Sequence, residues 1–214
     1  AQKSGCALVI VDPRVTSLAR KADLHIQLRP GTDGALALGF LNVIIREGLY
    51  DKEFVKRWTV GFDTLCDAVA EYTPEHVEKI TWVSASKIRD AARLYASSPA
   101  ACISVGVALE LSTNGFQAVR AIATLQAVTG NIDIAGGAVF LKEAELSDLR
   151  LTPRSCRKPA IGAEEYPLFH KATGHAQANL YARAMLTERP YPLKGLIVSG
   201  SNPILTWPNS ARVR

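Results

Sequence analysis

The sequence lacks the short motifs by which several classes of protein are identified. Its four cysteines, Cys6, Cys66, Cys102 and Cys156, are too widely spaced to form a CxxC pair, which excludes a zinc ribbon or a local iron–sulfur site. It contains no glycine-rich phosphate loop and no recognisable Ser-His-Asp set. No apolar run reaches the ~20 residues of a membrane span, and no signal peptide is visible, so the compartment is left open.

The chain also lacks a concentration of charge of one sign. It has 25 Lys+Arg against 20 Asp+Glu, and the net charge of +5 is spread along 214 residues. Because nucleic-acid-binding arms show a basic block, no nucleic-acid partner is predicted. A composition of 48% hydrophobic and 21% charged residues is typical of a globular protein. At roughly 150 residues per domain, the length allows one large domain or one and a half.

Individual histidines and cysteines carry weak signals. His170 and His175 lie in a loop close to the acidic residues 164–165, without the same-face spacing of a helical metal pair, and no metal site is predicted there. Cys6 and Cys102 stand in apolar, strand-like runs, where a cysteine is expected to act as a small buried hydrophobe.

Apolar runs and amphipathic stretches alternate along the chain. Strands are predicted at residues 6–11, 24–28, 101–107 and 195–199, because each is a run of mostly Val, Ile, Leu and Ala without in-out alternation. Capping residues and apolar spacing predict helices at residues 17–22, 33–47, 51–58, 74–80, 85–96, 115–129 and 177–186. The helix at 33–47 has almost no polar face, and we expect it to be buried under a sheet.

This alternation predicts an α/β fold of the doubly wound, Rossmann-like class, with a mainly parallel sheet and helices on both faces. We expect an α/β domain at residues 1–132, a long irregular connecting segment at 133–192, and a returning strand with the start of a helix at 193–214. The chain opens on the end of one helix and closes on the first turn of another. We therefore expect a fragment of a longer protein.

In doubly wound folds, ligands bind beside the carboxyl ends of the strands, which singles out the residues after the first predicted strand. Asp12 can accept two hydrogen bonds from a ribose diol, and Arg14 can neutralise a phosphate. The alternative is that Asp12 is a turn residue ahead of Pro13 and that Arg14 is a solvated charge. The residues alone leave both interpretations open.

Thr32 and Asp33, after the second predicted strand, form the other candidate pair. Their ordinary interpretation is a helix cap with a carboxylate at the positive end of the helix dipole. A carboxylate at this place also matches the paired N1–H and N2–H donors of guanine, because it offers two acceptors in one plane. A phosphate would be repelled by it.

Five segments occur in a fixed order along the chain. They are residues 8–14 (LVIVDPR), 29–36 (RPGTDGAL), 48–51 (GLYD), 121–132 (AIATLQAVTGNI) and 200–203 (GSNP). Each is weak alone, but in this order over nearly the whole chain they are specific. The sequence resembles the middle of the large catalytic subunits of the dimethyl sulfoxide reductase family, the molybdopterin-dependent oxidoreductases.

The resemblance implies that the complete enzyme holds molybdenum or tungsten between two molybdopterin guanine dinucleotides. It also implies cofactor contact for the matching residues. The turn beside one guanosine diphosphate arm contains Asp12, Pro13 and Arg14, and the loop at its guanine and ribose contains Gly31, Thr32 and Asp33. Two further cofactor-side segments contain Glu110 with Asn114, and Asn202.

The family's segment for a four-iron four-sulfur cluster and its metal-ligating residue lie N-terminal to the matched part, and its last domain would follow residue 214. The resemblance therefore implies a chain that is inactive alone and that has the rest of its own polypeptide as a partner. It also implies an iron–sulfur electron-transfer subunit and a small-molecule substrate. The complete enzyme would transfer an oxo group or a hydride equivalent with two electrons, as in anaerobic respiration, although some relatives run hydration or hydroxyl transfer.

Two alternatives stay open. One is a cofactor-free scaffold or electron-transfer subunit that keeps this fold, as in the large subunit of respiratory NADH dehydrogenase. The other is a plain nicotinamide-binding domain. The presence of both DPR at residues 12–14 and TD at residues 32–33 favours the pterin enzyme over the scaffold.

Overall fold

The computed structural model describes residues 2–141 and 158–213, so Cys156 lies outside the described residues. The chain divides into two compact units, Ala1–Ala144 and Glu145–Arg214. The first is a mixed α/β unit, and the second is helical where the structure describes it. The division expected from the sequence, with boundaries at residues 132 and 192, stays a prediction.

The first unit begins with two parallel strands, each preceded by a short 3-10 turn. Their bounds are Gln2–Ser4 (3-10), β1 Val9–Val11, Ala19–Lys21 (3-10) and β2 Leu24–Ile26. The register places Val11 opposite Ile26 at the carboxyl end of the pair. Both strands therefore deliver their following loops to the same edge of the sheet.

Helices make up most of the rest of this unit. They are α1 Asp33–Arg46, α2 Lys52–Trp58, α3 Phe62–Val69, α4 Pro74–Thr81, α5 Ala85–Ser97, α6 Val107–Glu110 and α7 Gly115–Val128. The helices predicted from residue 33 onward are confirmed to within a few residues at each end, whereas the one predicted at residues 17–22 is only a 3-10 turn at Ala19–Lys21. The sequence did not predict α3 or α6.

Two of the helix starts follow the capping rules used for the sequence. The hydroxyls of Thr73 and Ser84 accept hydrogen bonds from the amides three residues later, at 3.3 and 3.4 Å. Thr32 differs, although it precedes α1. Its hydroxyl donates to the carbonyl of Arg29 at 2.6 Å and does not cap the helix.

Helix α1 is the centre of the core. It packs against α3, α4, α5 and α7, and Leu41 and Ile44 on it are fully buried. Gly39 lets α4 approach closely, because a Cβ at this position would lie 3.1 Å from the Val77 methyl groups. The buried Asn42 amide donates to the Val69 carbonyl at 2.8 Å. The prediction of a buried helix is confirmed, but its neighbours are mainly helices and not a sheet.

The second unit contains short helices around a small apolar cluster. They are α8 Pro167–Thr173, a 3-10 turn at Ala178–Leu180, α9 Tyr181–Thr187, α10 Pro203–Thr206 and α11 Ser210–Val213. The helix predicted at residues 177–186 is therefore confirmed as the 3-10 turn and α9. The apolar cluster of the second unit consists of Ile161, Leu180 and Ala184. Among the helices that the structure describes, none is long and apolar enough to span a membrane.

Two predicted strands are corrected by the structure. Residues 101–106 form no strand and lead into α6, and residues 195–199 form none either. A strand requires a neighbour for its backbone groups, and within the described residues neither segment pairs with one. The α/β class is retained, but the sheet has only two strands here, and the doubly wound arrangement is not seen in the described part.

The expectation for two cysteines is also wrong. Cys6 and Cys102 are exposed and are not buried hydrophobes. Cys6 lies outside β1, which begins only at Val9, and Cys102 lies in the segment that forms no strand. Only the first of the two apolar runs contains a strand, and neither cysteine lies in it.

Candidate functional site

The turn after β1 is built around Asp12. Its amide donates to the Ile26 carbonyl at 3.2 Å, which extends the β1–β2 ladder by one bond. Its carboxylate Oδ1 accepts the Arg14 amide at 2.7 Å and lies 3.7 Å from Arg14 Nε. This is an Asx turn, so the structural interpretation of Asp12 holds. The Arg14 side chain is 82% exposed, and its guanidinium is available to an anion.

Two side chains, one on β2 and one just after it, form hydrogen bonds to this turn. His25 Nε2 lies 2.9 Å from the Asp12 carbonyl, and the Gln27 side-chain amide donates to the Pro13 carbonyl at 2.8 Å. Since a carbonyl only accepts, His25 must carry a proton on Nε2. Sequence reasoning took His25 as structural and did not consider Gln27. Their i, i+2 spacing on a strand was the signal that could have indicated a shared role.

The loop after β2 has a fixed backbone. Gly31 has φ +79°, a left-handed conformation that favours glycine. The Thr32 hydroxyl donates to the Arg29 carbonyl, as noted above, and the Asn114 side chain donates to the Gly31 carbonyl at 3.1 Å. The structure therefore brings Asn114, a residue distant in sequence, onto the loop that carries Thr32 and Asp33.

Asp33 is half-buried at the first position of α1. Burial raises the pKa of its carboxyl, and its own backbone N–H opposes that shift only in part. Within the part of the chain that the structure describes, no side chain donates a hydrogen bond to this carboxylate. A half-buried carboxylate without a side-chain donor is poised to accept hydrogen bonds from a ligand.

The segment before α7 positions Asn114 by close packing. A Cβ on Gly115 would lie 2.5 Å from the Leu109 carbonyl oxygen and 2.6 Å from that of Glu110, so only glycine fits. Ser112 Oγ donates to Asn114 Oδ1 at 3.1 Å, which orients the amide toward Gly31. Glu110 itself is exposed on α6.

Asn202 belongs to the second unit, where it immediately precedes α10. Its carbonyl accepts the amides of Leu205 at 3.0 Å and Thr206 at 2.9 Å. Its side chain makes no capping hydrogen bond. The polar side chain is therefore exposed at the start of a short helix.

Metal-ligating residues do not cluster in the described ranges, 2–141 and 158–213. No group of three or more His, Cys, Asp or Glu residues there could hold a metal ion. His170 Nδ1 instead lies 3.3 Å from the His175 carbonyl.

Comparison with known proteins defines the family. The family model for molybdopterin oxidoreductases matches residues 1–214. The chain belongs to the molybdopterin oxidoreductase family. This confirms the resemblance on which the sequence interpretation rested, and it implies a molybdopterin cofactor with molybdenum or tungsten.

Several members of the molybdopterin oxidoreductase family are similar over nearly the whole chain. It is 37% identical over 241 residues to acetylene hydratase of Syntrophotalea acetylenica, which covers 98% of this chain and 32% of that protein. It is 34% identical over 221 residues to the molybdopterin-containing subunit of thiosulfate reductase of Salmonella typhimurium, which covers 96% and 29%. The solved structure of acetylene hydratase from Pelobacter acetylenicus matches with a TM-score of 0.75 at 36% identity, over 89% of this chain and 30% of that one. The chain thus spans about a third of the length of its relatives.

The first unit carries an acceptor and a cation in the chain segments that follow β1 and β2. The Asp33 carboxylate offers two coplanar acceptors without a donor from another side chain of the described residues. Arg14 offers an exposed cation after β1, at the same edge of the sheet.

Proposed function

We propose that this chain is the part of a molybdenum or tungsten enzyme that binds one guanosine diphosphate arm of a molybdopterin guanine dinucleotide. The arm would lie at the carboxyl edge of β1 and β2, between the turn at residues 12–14 and the loop at 31–33. The observation that carries the proposal is the half-buried Asp33 carboxylate, to which no side chain of the described residues donates a hydrogen bond.

Each part of the nucleotide has a chemically matched group. Guanine N1–H and N2–H would donate to Asp33, with the Thr32 loop held in place by Asn114. Asp12 Oδ2 would accept from the ribose, because Oδ1 is used by the Arg14 amide. The exposed guanidinium of Arg14 would neutralise phosphate charge. Glu110 and Asn202 are proposed as further cofactor-side residues.

For the complete protein, we infer a two-electron oxidoreductase that acts on a small molecule, with an iron–sulfur cluster and an electron-transfer subunit outside this chain. The similarity to a subunit of thiosulfate reductase supports this activity. Hydration is the second candidate, because acetylene hydratase is similar over 98% of the chain. When bound, the metal–pterin group would supply the redox or Lewis-acid chemistry, while these residues hold its nucleotide end.

The complete protein would also extend the sheet. We propose that residues 101–106 and 195–199, which have strand-like sequences, each gain a strand neighbour in the complete protein, as in a doubly wound fold. Leu196 and Ile197 are 51% and 94% exposed, which supports a missing neighbour for this apolar segment. The chain alone is then expected to be inactive.

The guanine content of the full-length protein tests the proposed site. Acid hydrolysis of purified protein would release the guanine nucleotide for quantification per polypeptide. Each charge-assisted hydrogen bond is worth about 1.5–3 kcal/mol, so the loss of both in Asp33→Ala should weaken retention by about two to four orders of magnitude. Asp12→Ala should also lower guanine content, whereas Asp67→Ala, which removes an exposed carboxylate on α3, should not.

Wild-type guanine content in the Asp33→Ala and Asp12→Ala proteins would overturn the proposal. Metal analysis of the same preparations separates the remaining alternatives. Molybdenum or tungsten in the wild-type protein supports the pterin enzyme, and absence of both metals from actively expressed material favours a cofactor-free scaffold. Family membership already argues against a plain nicotinamide-binding domain.

A further inference from the structure

Two side chains on one face of β2 and its extension reach the turn after β1. His25 and Gln27 are two residues apart, so they project from the same face of the extended chain. They bond consecutive carbonyls of the turn, those of Asp12 at 2.9 Å and Pro13 at 2.8 Å. Residues on the second predicted strand therefore hold the backbone after the first.

The turn has few other attachments. The β1–β2 ladder ends with the Asp12 amide, and Pro13 has no N–H to extend it. The Arg14 amide is bonded within the turn itself, to Asp12 Oδ1. Within the described residues, the side-chain bonds from β2 and its extension to this turn are those of His25 to the Asp12 carbonyl and of Gln27 to the Pro13 carbonyl.

The Gln27 bond is exposed, which bears on its role. Water could satisfy the Pro13 carbonyl equally well, so an exposed bond of this kind contributes little to the free energy of unfolding. It does restrict the backbone conformation of the turn, and that backbone sets the direction of the Asp12 and Arg14 side chains. The bond therefore matters more for geometry than for stability.

We propose that Gln27 is a positioning residue that holds the turn at residues 12–14 in the shape that binds the nucleotide arm, with His25 as its partner. This inference rests on the proposed function of that turn. Gln27 does not itself touch the ligand; it acts through the Pro13 carbonyl. Its loss should therefore weaken nucleotide retention while leaving the folded chain intact.

The test measures how fast the full-length protein loses its guanine nucleotide. Gln27→Met keeps the length of the side chain but removes the donor, and one hydrogen bond of 0.5–1.5 kcal/mol predicts a loss about two- to tenfold faster. Gln27→Glu, which places an acceptor opposite a carbonyl, should do at least as much. Gln27→Lys restores a donor and should return retention toward the wild-type rate.

A matched control and a double variant complete the experiment. The control is Gln117→Met, which should leave the rate of nucleotide loss unchanged. Gln117 is an exposed glutamine on α7, and its side chain accepts a hydrogen bond from Arg120 of the same helix. In the Asp12→Ala background, Gln27→Met should have a smaller effect than in the wild-type protein, because only Arg14 is then left for the turn to position. The melting temperature of each Gln27 variant should stay at the wild-type value.

The outcomes separate this inference from the proposed function. If Asp12→Ala itself leaves guanine retention unchanged, the proposed function fails. If Asp12→Ala weakens retention but Gln27→Met behaves like Gln117→Met, only the positioning role of Gln27 is overturned. A Gln27→Met effect that persists undiminished in the Asp12→Ala background, or a large fall in melting temperature, also overturns it.

Discussion

Replacement of Asp33 should separate ligand binding from folding. The carboxylate lies at the first position of α1, where the helix dipole stabilises an anion by about 0.3–1 kcal/mol. Burial acts in the opposite direction and raises its pKa, and within the described residues no side-chain donor offsets it. Because the net shift is upward, the charged form of Asp33 is less stable in the folded chain than in the unfolded chain.

Asp33→Ala should therefore stabilise the ligand-free chain or leave it unchanged. We expect the free energy of unfolding to rise by about 0.5 kcal/mol at neutral pH. The gain is small because water still screens part of the carboxylate. The unfavourable contribution is complete above the raised folded pKa. It disappears below the ordinary value of 3.8, where both states are protonated, so the advantage of Asp33→Ala should shrink as the pH falls.

Urea unfolding of the 214-residue chain at about pH 7 and about pH 4 would measure this difference. Asp51→Ala is the matched control, because the Asp51 carboxylate caps α2 by accepting the Phe54 amide at 2.8 Å. Loss of such a cap costs about 1 kcal/mol. The two aspartates stand at the starts of neighbouring helices, but only one of them should stabilise the fold.

A loss of stability in Asp33→Ala equal to that in Asp51→Ala would refute this reasoning. It would mean that Asp33 is a structural cap, and the argument that the fold leaves its carboxylate free for guanine would fall. An advantage that grows as the pH falls would contradict the assigned direction of the pKa shift.

Two further predictions concern the fold around the site. Gly115→Ala should destabilise the chain by about 1–3 kcal/mol, because the new Cβ would collide with carbonyl oxygens of α6. The control Gly106→Ala should not, because a Cβ there meets no atom within 4 Å. Urea unfolding of the two variants measures the difference. Glu47→Gln should remove a surface ion pair with Arg93 worth about 0.2–1 kcal/mol. The Arg93 hydrogen bonds lower the pKa of Glu47. The difference in unfolding free energy between wild type and Glu47→Gln should therefore be complete above the ordinary pKa of 4.5 and vanish as the pH falls through the lower folded pKa. Unfolding at several pH values would measure it.

Local signals in the sequence were sufficient for several elements. Thr73 and Ser84 cap the helices that they were expected to cap, and the apolar helix beginning at Asp33 is buried as its composition required. Two short parallel strands were also found in their predicted places. These features depend on residues close in the chain, so a sequence can specify them without knowledge of the rest of the fold.

Other predictions failed because they depended on distant residues. Residues 101–106 have strand-like composition but no pairing neighbour in the described chain, and Cys102 within them is consequently exposed. Thr32 is a residue type that commonly caps helices, yet its hydroxyl donates to the Arg29 carbonyl, because the loop at Gly31 bends the chain toward it. Composition indicates what a segment can form, and tertiary partners decide what it does form.

The sequence by itself determined most of the longer helices, the two parallel strands, the family and the candidate residues after each strand. Only the tertiary structure decided that the Gln27 side chain bonds the turn of Asp12 and that Asn114 bonds the loop of Asp33. It also decided that the Asp33 carboxylate is half-buried and has no side-chain donor among the described residues. The physical reason is that hydrogen bonds between residues 14 and 83 positions apart, and the burial of a charge, exist only after the chain has brought those residues together.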